Sequence, residues 1–404
     1  MSHSRYGITA SVLVSSGRAV FLPLVIIEDG RIAAVQSREH AETPRNLTVT
    51  DFPEGILAPG LVDIHIHGGG GHDVMEASDD ALFRIERYLV GTGVTSYLPT
   101  TVTAPMESTL ASLARLGDNI ERASRGHAEL RAQPLGVHLE GPFISHAKCG
   151  VHPLEHIQPP SIELFDRMWQ AARGQIGMMT VAPELPGAID LIQAAAKRNV
   201  CVSMGHSDSA REPVQLAVIR GARHATHTFN AMRPLDHREP GILGSVLSDS
   251  GITADIIADG IHVHPDVVRL FLQAKGPENA VLITDAISAA GMGDGSYRLG
   301  SLEVQVEGAR CLHKGKLAGS VLRLDHAILN VMKFADWGIH KAVQLATLNP
   351  ARVVGVATRQ ENGTTIPWKG VLESGADADI VVLAGAPQGT GLQAIKTIVR
   401  GVGI

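Results

Sequence analysis

Residues 59–71 read PGLVDIHIHGGGG. The first half is an apolar run of strand length, and the second half is a His-x-His pair before a glycine-rich turn. Because side chains alternate between the two faces of a strand, His65 and His67 point the same way. Two imidazoles side by side at a strand end can hold one metal ion. Two histidines on a polar loop are the alternative, but the run is too apolar for a loop and further candidate ligands follow.

The sequence beyond this stretch alternates predicted strands with helical patterns. The predicted strands are 61–67, 94–99, 135–140, 177–183, 200–206, 223–228, 252–258 and 280–286. Apolar residues at helical spacing predict helices over 106–123, 162–172, 188–197 and 214–219. Repeated βα units predict a parallel sheet, and eight strands favour a closed (β/α)8 TIM-like barrel over an open sheet. In such barrels the chemistry lies at the C-terminal ends of the strands.

Short strands are also predicted at both ends of the chain. They cover 6–10, 19–21, 24–27, 31–35, 380–383 and 395–399, and the pair Asp29-Gly30 indicates a hairpin. Neither end has enough sequence for a core of its own. We therefore predict that residues 1–57 and 359–404 combine into one small β-sandwich domain, with the barrel of residues 58–358 inserted between them.

Polar side chains fall where the predicted barrel strands end. They are His65 and His67 after the first strand, Glu140 after the third, His206 after the fifth, His227 after the sixth, Asp259 and His262 after the seventh, and Asp285 after the eighth. Unpaired buried charge is too costly to collect at one barrel mouth, so a metal centre is the economical explanation. Two other histidines, His138 and His224, lie within strands and are expected to be core residues.

Imidazole and carboxylate ligands without thiolates suit Zn²⁺, and also Fe²⁺, Mn²⁺ or Co²⁺. Such an ion lowers the pKa of bound water to about 7 and polarises a carbonyl group. One further carboxylate that takes and returns a proton completes a hydrolytic site, and we assign this role to Asp285. The alternative for Asp285 is a helix N-cap directly after a strand.

The composition limits the classes of protein to which the chain can belong. The chain has 404 residues, 44% hydrophobic and 19% charged, with a formal net charge of −6, which fits one or two globular domains and gives no basic surface for nucleic acid. Aromatic residues are only 4%, and no apolar run reaches membrane-spanning length. The three cysteines, Cys149, Cys201 and Cys311, make no disulfide or metal-binding pattern. The N-terminus shows no signal pattern, so we expect a cytoplasmic protein.

Several segments together resemble one family. The stretch at 59–68 is similar to the opening motif of the amidohydrolase superfamily. Five more segments resemble its N-acetylglucosamine-6-phosphate deacetylase branch: GVHLEGPF at 136–143, GHS at 205–207, HTFNAM at 227–232, REPG at 238–241 and ADGIH at 258–262. The similarity runs from about residue 55 to 325, and DADIV at 377–381 also fits.

The resemblance implies a metal site of Glu140, His206 and His227. Because His65 and His67 are present, a second ion is implied as an option, with Glu140 bridging where other amidohydrolases use a carbamylated lysine. Asp285 would then be the general base and acid. Zn²⁺ is the first expectation for one or two ions per subunit.

The resemblance also implies residues that contact a sugar phosphate. His152 would lie near the amide carbonyl, and Arg238 would reach the 6-phosphate from the neighbouring subunit of a homodimer. The other implied substrate contacts are Val151, Asn230, Ala231, His262, Leu317, Ala318, Gly319 and Ser320. For Arg238 the alternative is a solvated loop charge, and for His152 and His262 it is a surface histidine or one that supports a ligand.

These roles imply hydrolysis of N-acetyl-D-glucosamine 6-phosphate to D-glucosamine 6-phosphate and acetate. Water activated by the metal and by Asp285 would attack the amide carbonyl, and Asp285 would then protonate the departing amine. Two alternatives stay open. One is a deacetylase for another N-acetylhexosamine phosphate, such as the galactosamine epimer. The other is a catalytically silent barrel that binds a sugar phosphate as a sensor.

Overall fold

The computed structural model describes residues 5–15, 17–76, 78–125, 129–385 and 391–404. Its N-terminal segment contains the strands β1 Arg5–Ser15, β2 Arg18–Phe21, β3 Pro23–Glu28, β4 Arg31–Ser37 and β5 Thr48–Pro59. The predicted hairpin joins β3 to β4 through Asp29 and Gly30. Their φ angles are 51° and 79°, and a tight hairpin turn of type I′ needs positive φ at both positions.

The central region contains the barrel. Its strands are β6 Leu61–Ile66, β7 Gly68–Gly69, β8 His72–Asp73, β9 Val94–Thr101, β10 Gln133–Pro134, β11 Val137–Glu140, β12 Ile176–Val181, β13 Cys201–Met204, β14 Ala222–Ala225, β15 Thr253–Ile256 and β16 Ala280–Leu282. Its helices are α1 Asp79–Val90, α2 Met106–Ser124, α3 Ile162–Ala171, α4 Ala188–Ala196, α5 Arg211–Arg220, α6 Gly241–Ser248 and α7 Pro265–Asn279. Short 3₁₀ turns lie at Val74–Glu76, His146–Lys148 and Leu154–His156.

Eight parallel strands follow one another around the barrel in the order β6, β9, β11, β12, β13, β14, β15, β16. The ring closes where Ile66 pairs in parallel with Ala286, just beyond β16. At this seam the Asp285 N–H donates to the His65 carbonyl at 2.9 Å, and the His67 N–H donates to the Ala286 carbonyl at 2.8 Å. The predicted barrel is therefore confirmed, and its closure places the His-x-His pair beside Asp285.

The apolar runs that predicted these strands are buried. β6 and β9 bury every residue, as expected for strands covered on both faces. Most boundaries differ from prediction by one to four residues, and two of the larger differences have a local cause. β16 ends at Leu282 rather than 286, because the backbone leaves the extended conformation and reaches a φ of 50° at Asp285. α5 begins at Arg211, three residues before its predicted start, since Pro213 is tolerated in a first helical turn.

The sequence of residues 291–316, which follow the last barrel strand, permits no assignment beyond a glycine-rich segment at 291–295 that indicates a mobile turn. The turn is present, but the rest forms an antiparallel sheet of β17 Gly295–Leu299, β18 Leu302–Glu307, β19 Arg310–His313 and β20 Lys316–Leu317. Val304, Val306 and Cys311 pack with Ile287 under this sheet. Alternation of buried and exposed residues along β18 provides the apolar side.

The C-terminal part contains α8 Leu324–Ala335, α9 Ile339–Gln344, α10 Leu348–Val353, and strands β21 Thr358–Glu361, β22 Thr364–Pro367, β23 Ile380–Gly385 and β24 Leu392–Ile398. β23 and β24 join the N-terminal strands in one sheet, in the order β24-β23-β5-β1-β3-β4 with β2 beside β1. Its apolar side has a separate core that includes Ile8, Leu57 and Ile380. We propose the domain division 1–57 plus 359–404 around 58–358 on this basis. Within the described ranges, every helix is too short or too polar to cross a lipid bilayer.

Candidate metal centre and active site

Three predicted ligands converge at the C-terminal mouth of the barrel. Glu140 is the last residue of β11, and His206 and His227 lie just beyond the ends of β13 and β14. The Glu140 Oε1 lies 3.1 Å from His206 Nε2 and 2.9 Å from His227 Nε2, and the two nitrogens are 3.1 Å apart. A triangle of ligand atoms with sides of about 3 Å is the face that a cation with bonds of about 2.1 Å would span. The three residues therefore fit one divalent ion.

The charge states of these groups suit a metal. Burial opposes the charge on Glu140, but the surrounding histidines, His65 and His152 first, hold its pKa well below the ordinary value. Burial lowers the pKa of His206 to about 4, so its ring is neutral at pH 7. The His206 Nδ1–H donates to the Lys148 carbonyl at 2.9 Å, which leaves the Nε2 lone pair facing Glu140 and His227.

A second group of candidate ligands lies on the other side of Glu140. His65 Nε2 and His67 Nε2 are 3.3 Å apart, and Asp285 Oδ1 lies 3.6 Å from the first and 3.2 Å from the second. Glu140 Oε2 is 3.2 Å from His67 Nε2. The His67 Nδ1–H donates to the Thr100 carbonyl at 3.1 Å and so leaves Nε2 free to bind. Glu140 therefore lies between the two groups: Oε2 faces His67, while Oε1 faces the first group and also lies 3.5 Å from His65 Nε2.

The two carboxylates make this mouth attractive to positive charge. Burial acts to lower the pKa of His227, but its contact with Glu140 raises it to about 9. Burial also opposes protonation of His67, and its contacts with Asp285 and Glu140 still raise its pKa well above the ordinary value. A proton or a metal cation can neutralise this negative charge, and six converging imidazole and carboxylate groups favour the cation.

His152 approaches the same carboxylate, with Nε2 3.3 Å from Glu140 Oε2. By distance alone, Glu140, His152 and His206 also form a candidate metal-binding group. However, His152 Nδ1 accepts a hydrogen bond from the Thr103 backbone N–H at 3.2 Å. Its neutral ring then carries the hydrogen on Nε2, so His152 faces the site as a donor rather than as a metal ligand.

Asp285 lies at the seam between the last and the first barrel strand. Burial opposes its charge, but His65 and His67 hold its pKa below the ordinary value, so the carboxylate is ionised at neutral pH. It is not the N-cap of a helix, because the next helix begins only at Leu324. An ionised carboxylate at this position can accept a proton from a water molecule in the site.

A cavity of about 140 Å³ opens in front of these groups. Most of the predicted substrate residues line it, namely Val151, His152, Asn230, Ala231, His262, Leu317 and Gly319. The φ angle of Gly319 is 60°, and a Cβ atom there would collide with Ile287, so a glycine is required. The His262 Nδ1–H donates to Asp259 Oδ2 at 2.7 Å, which fixes the ring against the cavity wall.

Three predicted substrate residues lie elsewhere. Ala318 is buried beneath the β17–β20 sheet. Ser320 is buried, and its hydroxyl donates to the Thr284 carbonyl at 2.5 Å. Arg238 is exposed and lines a separate cavity with Arg211 and Arg233. Within one described chain, Arg238 therefore does not reach the metal centre.

The two histidines expected in the core are satisfied there. His138 is fully buried, with Nε2 2.8 Å from Thr180 Oγ1. His224 contacts Asp255 Oδ2 at 2.9 Å and Thr253 Oγ1 at 2.8 Å. Neither side chain takes part in the ligand triangle.

Sequence reasoning missed three carboxylates that hold the site backbone, of which Asp63 and Asp255 are fully buried and Glu184 is half-buried. Asp255 accepts the backbone N–H of His227, Glu184 accepts the Ser207 hydroxyl and the Asp208 N–H, and Asp63 accepts the Thr284 hydroxyl. For Asp63 and Asp255 a signal existed, since each is a single acidic residue inside an apolar strand and needs a buried partner.

Comparison with known proteins bears on this site. The family model for the amidohydrolase family matches residues 56–402. The N-acetylglucosamine-6-phosphate deacetylase of Bacillus subtilis (strain 168) is 36% identical over 390 residues, covering 96% of this chain and 94% of that protein. An N-acetylgalactosamine-6-phosphate deacetylase of Escherichia coli is 38% identical over 331 residues, covering 82% of this chain and 84% of that protein.

A solved structure is similar over nearly the whole chain. It is a mutant of the N-acetyl-D-glucosamine-6-phosphate deacetylase of Mycobacterium smegmatis in complex with N-acetyl-D-glucosamine-6-phosphate. The TM-score is 0.88 at 30% identity, covering 98% of both chains.

Proposed function

This chain belongs to the amidohydrolase family, and on that premise we propose that it hydrolyses N-acetyl-D-glucosamine 6-phosphate to D-glucosamine 6-phosphate and acetate. The observation that carries the proposal is the convergence of Glu140, His206 and His227 within about 3 Å of one another, beside the ionised Asp285. The Bacillus subtilis relative, which covers nearly the whole chain, carries the name of this activity.

Glu140, His206 and His227 would hold one divalent ion, and His65 and His67 would hold a second with Asp285 nearby. We propose Zn²⁺, because the donors are imidazole nitrogens and carboxylate oxygens in a compact arrangement. When bound, the ion supplies a Lewis acid for the amide carbonyl and makes water acidic enough to attack near neutral pH.

The side chains account for the proton movements. Asp285 takes one proton from the attacking water as the C–O bond forms. The His152 Nε2–H donates to the carbonyl oxygen while negative charge develops on it. Asp285 then gives its proton to the amide nitrogen as the C–N bond breaks. The amine and acetic acid are formed, the remaining proton of the water passes from the acid to the amine, and the products leave as acetate and the ammonium form of the amino sugar while Asp285 returns to its ionised state.

The cavity walls are assigned to the sugar phosphate. Asn230 and Ala231 would contact the 6-phosphate through amide and backbone N–H groups, which are suitable donors for phosphate oxygens. His262 would donate from Nε2 as an imidazolium, because its Nδ1–H is already given to Asp259. Val151, Leu317 and Gly319 line the same cavity. Ala318 and Ser320 would act through the backbone or by support rather than by side-chain contact.

We further propose a homodimer in which Arg238 reaches the phosphate of the neighbouring subunit. Arg238 is exposed, and Leu235 in the same loop is 52% exposed, which leaves both an arginine fork and an apolar side chain free on one surface. An arginine at the rim of a phosphate site would bind two oxygens at once.

The free thiols of Cys149, Cys201 and Cys311 support our expectation of a reducing cytoplasm.

The galactosamine epimer is the second candidate substrate. It is favoured by the Escherichia coli relative, which is as similar in sequence as the glucosamine-6-phosphate relatives. The residues that would hold the metal and the phosphate are the same for both epimers. Only a comparison of turnover can therefore distinguish the two substrates.

The test is acetate release from each epimer by metal-loaded protein, run beside elemental analysis of the same sample. We expect release from both and a higher kcat/KM for the glucosamine epimer. A higher kcat/KM for the galactosamine epimer would replace the proposed substrate by the second candidate. Binding without acetate release from either would support the silent sensor instead. Metal-free protein prepared with a chelator is the control and should be inactive until an ion is restored.

A further inference from the structure

Asp63 is a carboxylate that the reaction described above does not use. It is completely buried in β6, two residues before His65. Its Oδ2 accepts the hydroxyl hydrogen of Thr284 at 2.5 Å, and its Oδ1 accepts the backbone N–H of His65 at 3.3 Å. Burying this carboxylate between the first barrel strand and the segment after the eighth is unfavourable. Its hydrogen bonds must therefore stabilise the fold or position a functional group.

Thr284 carries the contact onward to the neighbouring backbone. Its Oγ1 accepts the N–H of Ala286 at 3.1 Å, so the same hydroxyl fixes both sides of Asp285. From the other direction, Ser320 donates its hydroxyl to the Thr284 carbonyl at 2.5 Å and its N–H to the Asp285 carbonyl at 2.8 Å. The backbone on both sides of Asp285 is therefore held, the Ala286 N–H by the Thr284 side chain and the Thr284 and Asp285 carbonyls by Ser320.

These ties hold an unfavourable conformation. Asp285 has a φ of 50°, in the left-handed region, which is unfavourable for a residue other than glycine. In this conformation its Oδ1 lies 3.2 Å from His67 Nε2. If Thr284 and Ala286 were free, the backbone would relax and move the carboxylate away from the place where the water must lie.

We propose that Asp63, acting through the hydroxyl of Thr284, and Ser320 are positioning residues that hold the base Asp285 in its working conformation. This inference rests on the proposed function, because Asp285 is a base only if the chain is the proposed hydrolase. It also gives Ser320 a role other than substrate contact.

The test is Thr284→Val, which keeps the shape of the side chain and removes the hydroxyl, compared with Thr284→Ser, which keeps the hydroxyl. A misplaced base lowers kcat by about 10- to 100-fold while KM and metal content stay near those of the parent protein. The matched control is Tyr97→Phe, which removes a hydroxyl donor 3.1 Å from another buried carboxylate, Glu86, in the same barrel. All variants are assayed well below their unfolding midpoints.

We expect Thr284→Ser and Tyr97→Phe to keep kcat within about threefold of the parent. In a crystal structure of Thr284→Val, the separation of Asp285 Oδ1 from His67 Nε2 should exceed the present 3.2 Å. Unchanged kcat in Thr284→Val, an equal loss in Thr284→Ser, or loss of bound metal would each overturn the inference. An inactive parent protein would instead count against the proposed function, and the crystal structure would still test the positioning.

Discussion

The role of His152 depends on which of its ring nitrogens carries a hydrogen. A ligand needs a lone pair toward the ion, whereas a donor needs an N–H there. The backbone N–H of Thr103 cannot accept a hydrogen bond, and it lies 3.2 Å from His152 Nδ1. The Thr103 hydroxyl lies 2.8 Å from the same nitrogen and can donate to it as well. Both contacts fit a hydrogen on Nε2, which separates His152 from His206, whose Nδ1 faces a carbonyl. Two histidines at one carboxylate thus have opposite roles.

Replacing His152 by phenylalanine tests this assignment, because it keeps a ring of similar size and removes every ring N–H. Loss of one donor to a developing oxyanion costs about 100- to 1,000-fold in kcat, so we expect a fall of this size. Bound metal should stay at the parent level, as measured by elemental analysis after dialysis. If His152→Phe instead loses the ion while His206→Phe retains it, the ligand assignments of the two residues are reversed.

Asp285→Asn removes the charge of the base and leaves its size unchanged. Because the amide cannot take a proton from water, we expect kcat to fall by about 100- to 10,000-fold. The KM for the sugar phosphate should change little, since Asn230, Ala231 and His262 are untouched. Acetate release is the measurement, with binding of substrate to the inactive variant as its control. Turnover near that of the parent protein would remove Asp285 from the mechanism.

At the scale of single elements, three strand ends share an unusual backbone conformation. His206, His227 and Asp285 have φ angles of 48°, 29° and 50°. Left-handed conformations are costly for such residues and persist where neighbours hold them in place. Here the neighbours are carboxylates: Asp255 accepts the His227 N–H, and Glu184 fixes the two residues after His206. The ends of parallel strands therefore provide ligands only with support from adjacent strands.

Asp255→Asn should weaken metal binding without touching a ligand. One oxygen of the native carboxylate accepts a hydrogen bond from the His227 N–H, and the other contacts the His224 ring. An amide offers only one acceptor oxygen. Loss of such a supporting contact lowers metal affinity by about 10- to 100-fold. Competition with a chromophoric chelator measures it, and the exposed Asp266 in α7, changed to Asn, is the control. Equal affinity in both variants would show that Asp255 does not hold His227.

The sequence could predict the barrel and its ligands because both leave local patterns. Apolar runs of strand length mark buried parallel strands, and Glu140, His206 and His227 stand where those runs stop. Local patterns could not show that Thr284 donates to Asp63, since 221 positions separate them. The β17–β20 sheet was not predicted, because the glycines at 291, 293 and 295 indicate a mobile segment. In addition, Val304 and Val306 are buried against Ile287, which lies outside the sheet.

On the scale of the whole molecule, one buried lysine joins the barrel to the terminal segments. Lys369 is 1% exposed, and its Nζ donates to Gln133 of β10 at 2.9 Å and to Asp379 at 2.6 Å. Lysine side chains are rarely buried, so the sequence alone would place Lys369 at the surface and could not predict this contact. It explains how the sheet built from both chain ends keeps a fixed position beside the barrel wall.

The location of Arg238 is also a property of the whole molecule. It is exposed in a cavity apart from the metal centre, so it can serve the phosphate only from a second copy of the chain. A two-fold symmetric dimer gives each site one arginine from its partner. Arg238→Ala alone should lower kcat/KM by about 100-fold through loss of a charged phosphate contact. That result would not show from which subunit the arginine comes.

Mixing two inactive variants answers this question. In a dimer of one Asp285→Asn subunit and one Arg238→Ala subunit, one site combines the native Asp285 with the native Arg238 of its partner, and the other site lacks both. If equal amounts exchange freely, half of the dimers are mixed, and activity at low substrate should reach about a quarter of the parent value. If Arg238 served its own subunit, no site would be intact and the mixture would stay as inactive as its components. Differently tagged subunits, purified as mixed dimers, should raise the value to about one half.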